Sequence, residues 1–193
     1  RTSHNPYSTS FLDLCDQYGI PVLDALYDKW RDQYTGGRRP WMEQWPTDLP
    51  EWIKRDRNHP SIIAWSLGNE LQTYPNLPFG DWGVTPYRMM KPVLQRYDNT
   101  RKITVAMHPR GRSLETDSLP APLVMETDIA AYNYRYMYFP GDGRRFPWMT
   151  FYQSEANTSM MGPNYFEMDL DKVMGLAYWG QIDYLGESRG WPA

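Results

Sequence analysis

The sequence predicts an α/β fold, a (β/α)8 TIM barrel that is incomplete. Three observations point there. Short apolar runs alternate with amphipathic helical segments, the pattern of βα units on a mostly parallel sheet. Two of those runs, Ile62-Ile-Ala-Trp-Ser-Leu-Gly-Asn-Glu70 and Met149-Thr-Phe-Tyr-Gln-Ser-Glu155, end on a glutamate. A carboxylate there is badly placed for packing and well placed for chemistry, because the C-terminal end of every strand in a parallel barrel opens into one pocket. Finally, about six strands can be read where a closed barrel has eight.

A first helix is expected from Ser8 or Thr9 to Tyr18, since Phe11, Leu14, Cys15 and Tyr18 fall at helical spacing and Gly19 supplies a left-handed stop. Ile20-Pro-Val-Leu-Asp24 reads as a strand. The Trp- and Gly-rich stretch from Tyr27 to Pro46 reads as a loop, after which Thr47 or Asp48 caps a helix to about Arg57. That helix leads into the strand Ile62 to Leu67. Thr85-Pro86 opens another helix to about Tyr97, with Pro92 as a kink. Ile103 to Met107 is the next strand, followed by either Leu123 to Met125 or Ala130 to Tyr134, and then by Met149 to Ser154. Leu170 to Met174 reads as a short helical stretch before a last strand, Gly175 to Ile182. A closed barrel takes roughly 250 residues, so one and a half to two βα units are expected to precede Arg1. Residues 1–193 read as one barrel domain, with no internal repeat.

Composition narrows the function. The 193 residues carry a net charge of −3, with 41% hydrophobic and 22% charged residues, an ordinary globular balance. Basic residues are scattered or paired, as in Arg38-Arg39 and Arg144-Arg145, without the long block that nucleic acid binding favours. No apolar run approaches the roughly 18 residues of a membrane span. The single cysteine, Cys15, excludes an internal disulfide and reads as a small core residue. His4, His59 and His108 show no ligand spacing. With 9 Trp and 15 Tyr the chain is rich in aromatic faces, which line sugar pockets as well as cores. Arg1-Thr-Ser-His-Asn-Pro6 offers no signal peptide, so localisation, whether cytoplasmic, periplasmic or secreted, is not legible here.

Two carboxyl groups facing each other across a pocket are what glycosidic bond cleavage uses. They stand about 5 to 5.5 Å apart for retention and about 6.5 to 9.5 Å for inversion. Glu70 and Glu155 come from strands three apart, on opposing walls of a barrel. Asn69 can hydrogen-bond a sugar hydroxyl; alternatively, Asn69-Glu70 is a helix cap after the strand.

Five segments together carry a resemblance: Arg1-Thr-Ser-His-Asn-Pro6, Phe11-Leu-Asp-Leu-Cys-Asp-Gln-Tyr-Gly19, Arg57-Asn-His-Pro-Ser-Ile-Ile-Ala-Trp-Ser-Leu-Gly-Asn-Glu70, Ser154-Glu155 and Tyr178-Trp-Gly-Gln-Ile-Asp-Tyr-Leu-Gly-Glu187. In order and across almost the whole chain they resemble the catalytic barrel of glycoside hydrolase family 2, which holds β-galactosidases, β-glucuronidases and β-mannosidases. The resemblance implies Glu70 as acid/base and Glu155 as nucleophile. It implies Asn69 on the sugar 2-hydroxyl, Arg1 and His4 beside the nucleophile and sugar, and Tyr134, in preference to Tyr136, donating a hydrogen bond to the nucleophile. Trp179 resembles an aromatic floor and Asp24 a strand-end carboxylate in the pocket. A guanidinium beside Glu155 is expected to lower its pKa, while Glu70, as acid, must hold its proton near neutral pH.

Two positions depart from the family. Ala25 stands where many members have a glutamate, and Lys29 falls where a magnesium-ligand glutamate would be, so neither metal nor cofactor is expected. The function implied is a retaining β-glycosidase, by weight of membership a β-galactosidase, with a carbohydrate β-glycoside as partner and neither nucleic acid nor membrane. An incomplete barrel exposes two strand edges, to be covered by a homo-oligomer partner or by further domains of a parent protein. Uncovered, the chain would be a catalytically silent fragment or a weak sugar-binding module. A related retaining barrel acting on β-mannans or β-glucans is the third reading. Arg110-Gly-Arg112 and Phe79-Gly-Asp-Trp82 read as loops that shape specificity or cover the barrel.

Overall fold

A computed structural model of the chain describes residues 1–31, 39–71, 77–108, 119–157 and 167–179. Its centre is one six-stranded sheet in sequence order, β1 (Val22–Ala25), β2 (Ile62–Asn69), β3 (Lys102–Met107), β4 (Ile129–Asn133), β5 (Phe151–Ala156) and β6 (Val173–Tyr178). All five pairings are parallel. Helix α1 (Thr9–Tyr18) precedes β1, and α2 (Trp41–Asp56), α3 (Val84–Gln95) and α4 (Phe139–Arg145) lie in the connections β1–β2, β2–β3 and β4–β5. Sequential parallel strands with helical crossovers make a barrel wall that is open at β1 and β6, the incomplete TIM barrel that the pattern predicts.

Each strand alternates between two environments, as the period of two requires. Trp65, Leu67, Ile103, Val105, Tyr132 and Phe151 join the large core shared with the helices. Leu23, Ala64 and Ile129, with Tyr152 against them, form a separate small cluster on the other face, inside the wall. No helix among the described residues is long and apolar enough to cross a membrane.

Helix α1 has the caps expected: Ser8 Oγ accepts from the Phe11 N–H at 3.2 Å, and Gly19 adopts φ 65°. Helix α2 instead begins at Trp41, so the expected loop to Pro46 and the cap at Thr47 or Asp48 are corrected. Pro46 and Pro50 sit inside it, while Trp41, Trp45, Leu49, Trp52 and Ile53 make a continuous buried stripe. Pro46 is exposed, so the helix keeps this stripe at the cost of the hydrogen bonds that proline cannot donate.

Of the two candidates for the fourth strand, Ala130 to Tyr134 is the one paired, as β4. Leu123 to Met125 instead lies in a 3-10 turn, Pro122–Glu126, opened by proline. Helix α4 was not foreseen, because Phe139-Pro-Gly-Asp-Gly143 reads as a turn. Tertiary contacts hold it: Phe139 stacks on Phe151 with ring centres 4.8 Å apart, and Tyr132 Oη donates to Asp142 at 2.8 Å. The helical stretch expected at Leu170 to Met174 is replaced by a turn, and β6 already begins at Val173. The expected end of that strand at Ile182, and the Arg110-Gly-Arg112 loop, lie outside the described residues.

Candidate active site

Strands β2 and β4 end in the same way. Each finishes on an asparagine, Asn69 or Asn133, and the next residue takes a left-handed backbone: Glu70 at φ 51° and Tyr134 at φ 56°. Neither is a glycine, so each such turn costs on the order of 1 kcal/mol and stands only where its surroundings hold it. The neighbouring strand does so. Glu70 N–H donates to Ala106 O at 2.7 Å, and Tyr134 N–H donates to Glu155 O at 2.8 Å. Close packing supports the β2 end as well: Trp30 Nε1 donates to Leu67 O at 2.7 Å, and a Cβ on Gly68 would meet that nitrogen at 2.9 Å.

Arg1 knits the strand ends together. Its Nη1 donates to Glu155 Oε1 and to Ser154 O, both at 2.8 Å, and its Nη2 donates to Asn69 Oδ1 at 3.0 Å. The same Nη2 lies 3.2 Å from His4 Nδ1. A guanidinium can only donate, so Nδ1 accepts, while Nε2 lies 3.4 Å from Asn69 Nδ2 and 3.8 Å from Glu155 Oε1. Burial first, and the Arg1 charge second, push the His4 pKa down to about 4. The ring is therefore neutral at physiological pH, and it stacks on Trp179 with centres 5.2 Å apart and planes 11° apart. One face of Trp179 is thus covered by His4.

Glu155 is 5% exposed. Burial pushes its carboxyl above the usual range; the Arg1 charge and the hydrogen bonds from Arg1 and Tyr134 pull it back, and the Glu70 charge pushes it up again. The lowering expected from Arg1 is present but is outweighed by desolvation. Tyr134 reaches Glu155 through its hydroxyl, and its own pKa is raised by burial and by the Glu155 charge. Tyr136 lies in the turn Tyr136–Tyr138 and lines a different cavity, between α4 and residues 167–173.

Asn133, fully buried, was missed from sequence. Its Nδ2 donates to Asn69 Oδ1 at 3.0 Å and to Glu70 Oε1 at 3.2 Å, while its Oδ1 accepts from Ser154 Oγ at 2.6 Å. It completes a hydrogen-bonded path from Glu70 through Asn133, Asn69 and Arg1 to Glu155. The rule that singled out Glu70 and Glu155, a polar group at the end of a buried parallel strand, would have found it if extended to amides. Asp28 was missed as well: its Oδ1 accepts from Asn69 Nδ2 at 3.1 Å and pairs with Lys29 Nζ. Asp28 and His4 also line a cavity of about 680 Å³ that adjoins the site.

Asp24 is the residue that the structure does not bring to this pocket. It is fully buried on the helix side of β1, where its Oδ2 accepts from Trp52 Nε1 at 2.8 Å and its Oδ1 from Thr2 Oγ1 at 3.0 Å. Alternation along β1 gives the pocket side to Leu23, so the expectation of a pocket carboxylate at Asp24 is corrected.

Among the described residues, Asp13, Asp16 and His59 place ligand atoms within 4.8 Å of one another, a grouping that sequence spacing does not reveal. They lie away from this site. Asp16 there accepts from the Ser61 N–H at 2.9 Å and pairs with His59 Nδ1 at 2.7 Å, a clamp on the turn before β2.

The model of the family described as "Glycosyl hydrolases family 2, TIM barrel domain" matches residues 1–138. The β-galactosidase BoGH2A of Bacteroides ovatus is 30% identical over 204 aligned positions, covering 90% of this chain and 23% of that protein. A β-glucuronidase of Paenibacillus borealis is 33% identical over 118 positions, 56% of this chain and 19% of the relative. The crystal structure of a glycosyl hydrolase family 2 member from Bacteroides cellulosilyticus superposes with a TM-score of 0.78 at 30% identity, covering 98% of this chain and 24% of that one. The chain thus spans about a quarter or less of the length of these relatives. With a family model over more than half its residues and a matching barrel wall, the chain belongs to glycoside hydrolase family 2, within its TIM barrel domain.

Proposed function

We propose that residues 1–193 belong to one catalytic barrel domain of a retaining β-glycosidase, with Glu155 as nucleophile and Glu70 as acid/base. The observation that carries this reading is the hydrogen-bonded path that joins two carboxylates held in unlike surroundings. Glu155 is buried against Arg1 and Tyr134, whereas Glu70 is partly exposed and receives the Asn133 amide. An ion-paired carboxylate suits attack on an anomeric carbon, and a carboxyl at the mouth suits proton exchange with leaving group and water.

In the first step a Glu155 oxygen forms a bond to the anomeric carbon while the glycosidic bond breaks, and the departing oxygen takes the Glu70 proton. The resulting ester removes the negative charge from Glu155. Glu70, now an anion without that neighbouring charge, takes a proton from water as the water oxygen attacks the same carbon, and Glu155 leaves as carboxylate. Asn69, fixed by Arg1, Asn133 and Asp28, is placed to meet a sugar hydroxyl. His4 and Trp179 offer the apolar wall, and no cofactor enters the reaction.

A β-galactoside is the first substrate to test, because the relative aligned over 90% of the chain is a β-galactosidase; a β-glucuronide is the second, on the Paenibacillus relative. The test incubates the full-length protein with 2-deoxy-2-fluoro aryl glycosides of β-galactose, β-glucuronic acid, β-mannose and β-glucose, followed by peptide mass mapping. A glycosyl adduct on Glu155, fastest with the galactoside, is expected. An adduct on another residue overturns the assignment of Glu155, and none from folded protein favours a catalytically silent barrel.

A further inference from the structure

Asp24 left the pocket, yet its surroundings are not those of an ordinary core position. Asp24 and Asp56 are both 0% exposed, on β1 and α2 respectively, and near enough that each carboxyl feels the other's charge. One cation serves the pair: Arg55 Nε and Nη2 each donate to an oxygen of Asp56 at 2.6 Å. Two buried acids beside one guanidinium penalise a second negative charge and favour a proton on one of them. Burial, and then the charge on Asp56, push the Asp24 carboxyl up to about 7. Protonated, Asp24 still accepts from Trp52 and Thr2.

Thr2 connects this cluster to the site. Its hydroxyl donates to Asp24 and accepts from the Ala25 N–H at 2.7 Å, and its own N–H donates to Leu23 O at 3.1 Å. Three bonds therefore lock Thr2 onto β1. The preceding residue is Arg1, whose guanidinium has to reach Glu155, Ser154 and Asn69 at once. A shift of the backbone at Thr2 would loosen all three contacts, since hydrogen bonds weaken steeply with small changes of distance and angle.

We propose that Asp24 is a positioning residue for the Arg1–Glu155 pair: the buried Asp24–Asp56 acid pair anchors Thr2, and through Thr2 it sets the grip of Arg1 on Glu155. The inference rests on the assignment of Glu155 as nucleophile for its effect on turnover, but not for its effect on Glu155 itself. The charged groups of α2 that face Asp24 are Asp56 and Arg55, and Arg55 is engaged with Asp56.

The test uses the full-length protein with Thr2→Val, Asp24→Leu and Asp24→Asn. Two readouts run beside thermal unfolding: the pH dependence of carbodiimide labelling at Glu155, followed by peptide mass, and the rate of inactivation by the 2-deoxy-2-fluoro glycoside. Thr2→Val keeps the side-chain shape and removes the hydroxyl. It should move Glu155 labelling to higher pH, because the carboxylate loses part of its cation, and slow inactivation about tenfold. Asp24→Leu should do the same or more. Asp24→Asn should recover part of the wild-type behaviour, since its oxygen still accepts from Thr2 and holds that residue on β1, while its amide nitrogen cannot accept from Trp52 Nε1 as Asp24 Oδ2 does. Should Asp24→Leu fail to fold, Thr2→Val decides. Folded Thr2→Val with wild-type labelling and inactivation would overturn the proposal and leave Glu155 as nucleophile intact. A labelling shift in a protein that forms no adduct in any variant would uphold the positioning role and remove the glycosidase reading.

Discussion

Glu155 and Glu70 sit at the ends of two strands of one sheet and are held in opposite ways. Glu155 lies within β5 itself, 5% exposed, with a guanidinium and a phenol on its carboxylate. Glu70 lies one residue beyond β2, turned by a left-handed backbone toward the mouth, and meets the neutral amide of Asn133. A rigid, charge-compensated carboxylate and a neighbour at the mouth, carried on a strained hinge, are the two environments that one nucleophile and one proton carrier require. Identical side chains at equivalent ends of parallel strands thus acquire separate environments from what surrounds them.

Breaking the buried side should cost most. Glu155→Gln removes the attacking charge while keeping the shape, so kcat should fall by about 10⁴-fold or more on every substrate; retention of a few per cent of activity in a purified, sequence-verified variant would contradict the assignment. Breaking the mouth side should be selective. Glu70→Ala is expected to lose about 10²–10⁴-fold on alkyl or sugar leaving groups and far less on activated aryl glycosides, which leave with little protonation. Steady-state rates on a leaving-group series test this, and equal loss across the series would exchange or dissolve the two roles.

Finer changes sharpen the contrast. Tyr134→Phe removes a hydrogen bond to a charged group, about 1.5–3 kcal/mol, or roughly ten- to hundredfold in rate. That bond lowers the pKa of Glu155, so its loss raises it. The acidic limb of kcat/KM should then move to higher pH, with activity lost first on the acid side; a limb that stays in place would show the phenol to be mere packing. Asn133→Ala should be the smallest change in rate, about tenfold, from the lost bond to Glu70, while the lost bonds to Asn69 and Ser154 also lower stability. It should weigh more on poor leaving groups than on activated ones, since the amide holds Glu70, and a leaving-group plot that merely shifts in parallel would place its effect on Asn69 instead.

Much of this was legible in the chain. The alternation of apolar runs with helical segments located five of the sheet's strands and left β4 between two candidates, and Gly19 and Ser8 marked the ends of α1. Glu70 and Glu155 stood out because charged side chains are poor choices for the end of a buried strand, and Asn69 because it precedes Glu70. The full span of α2 was hidden, because Pro46 reads as a stop while the tryptophan stripe that overrides it has meaning only against a sheet. Helix α4 was hidden for a related reason, as its Gly- and Pro-rich residues have little helical preference and are held by Phe151 and Tyr132.

What the sequence by itself determined is the order of the elements and the identity of the polar groups at the strand ends, because periodicity and strand polarity are local properties written along one segment at a time. Only the tertiary structure decided which of those groups meet. Asp24 and Asn133 exchanged places between expectation and fold. Alternation and helix packing took Asp24 toward Trp52 and Thr2, and the neighbouring strand brought Asn133 to both Asn69 and Glu70. The balance on Glu155 was decided there as well, since desolvation depends on everything packed around a carboxylate and not on the one arginine that sequence could name.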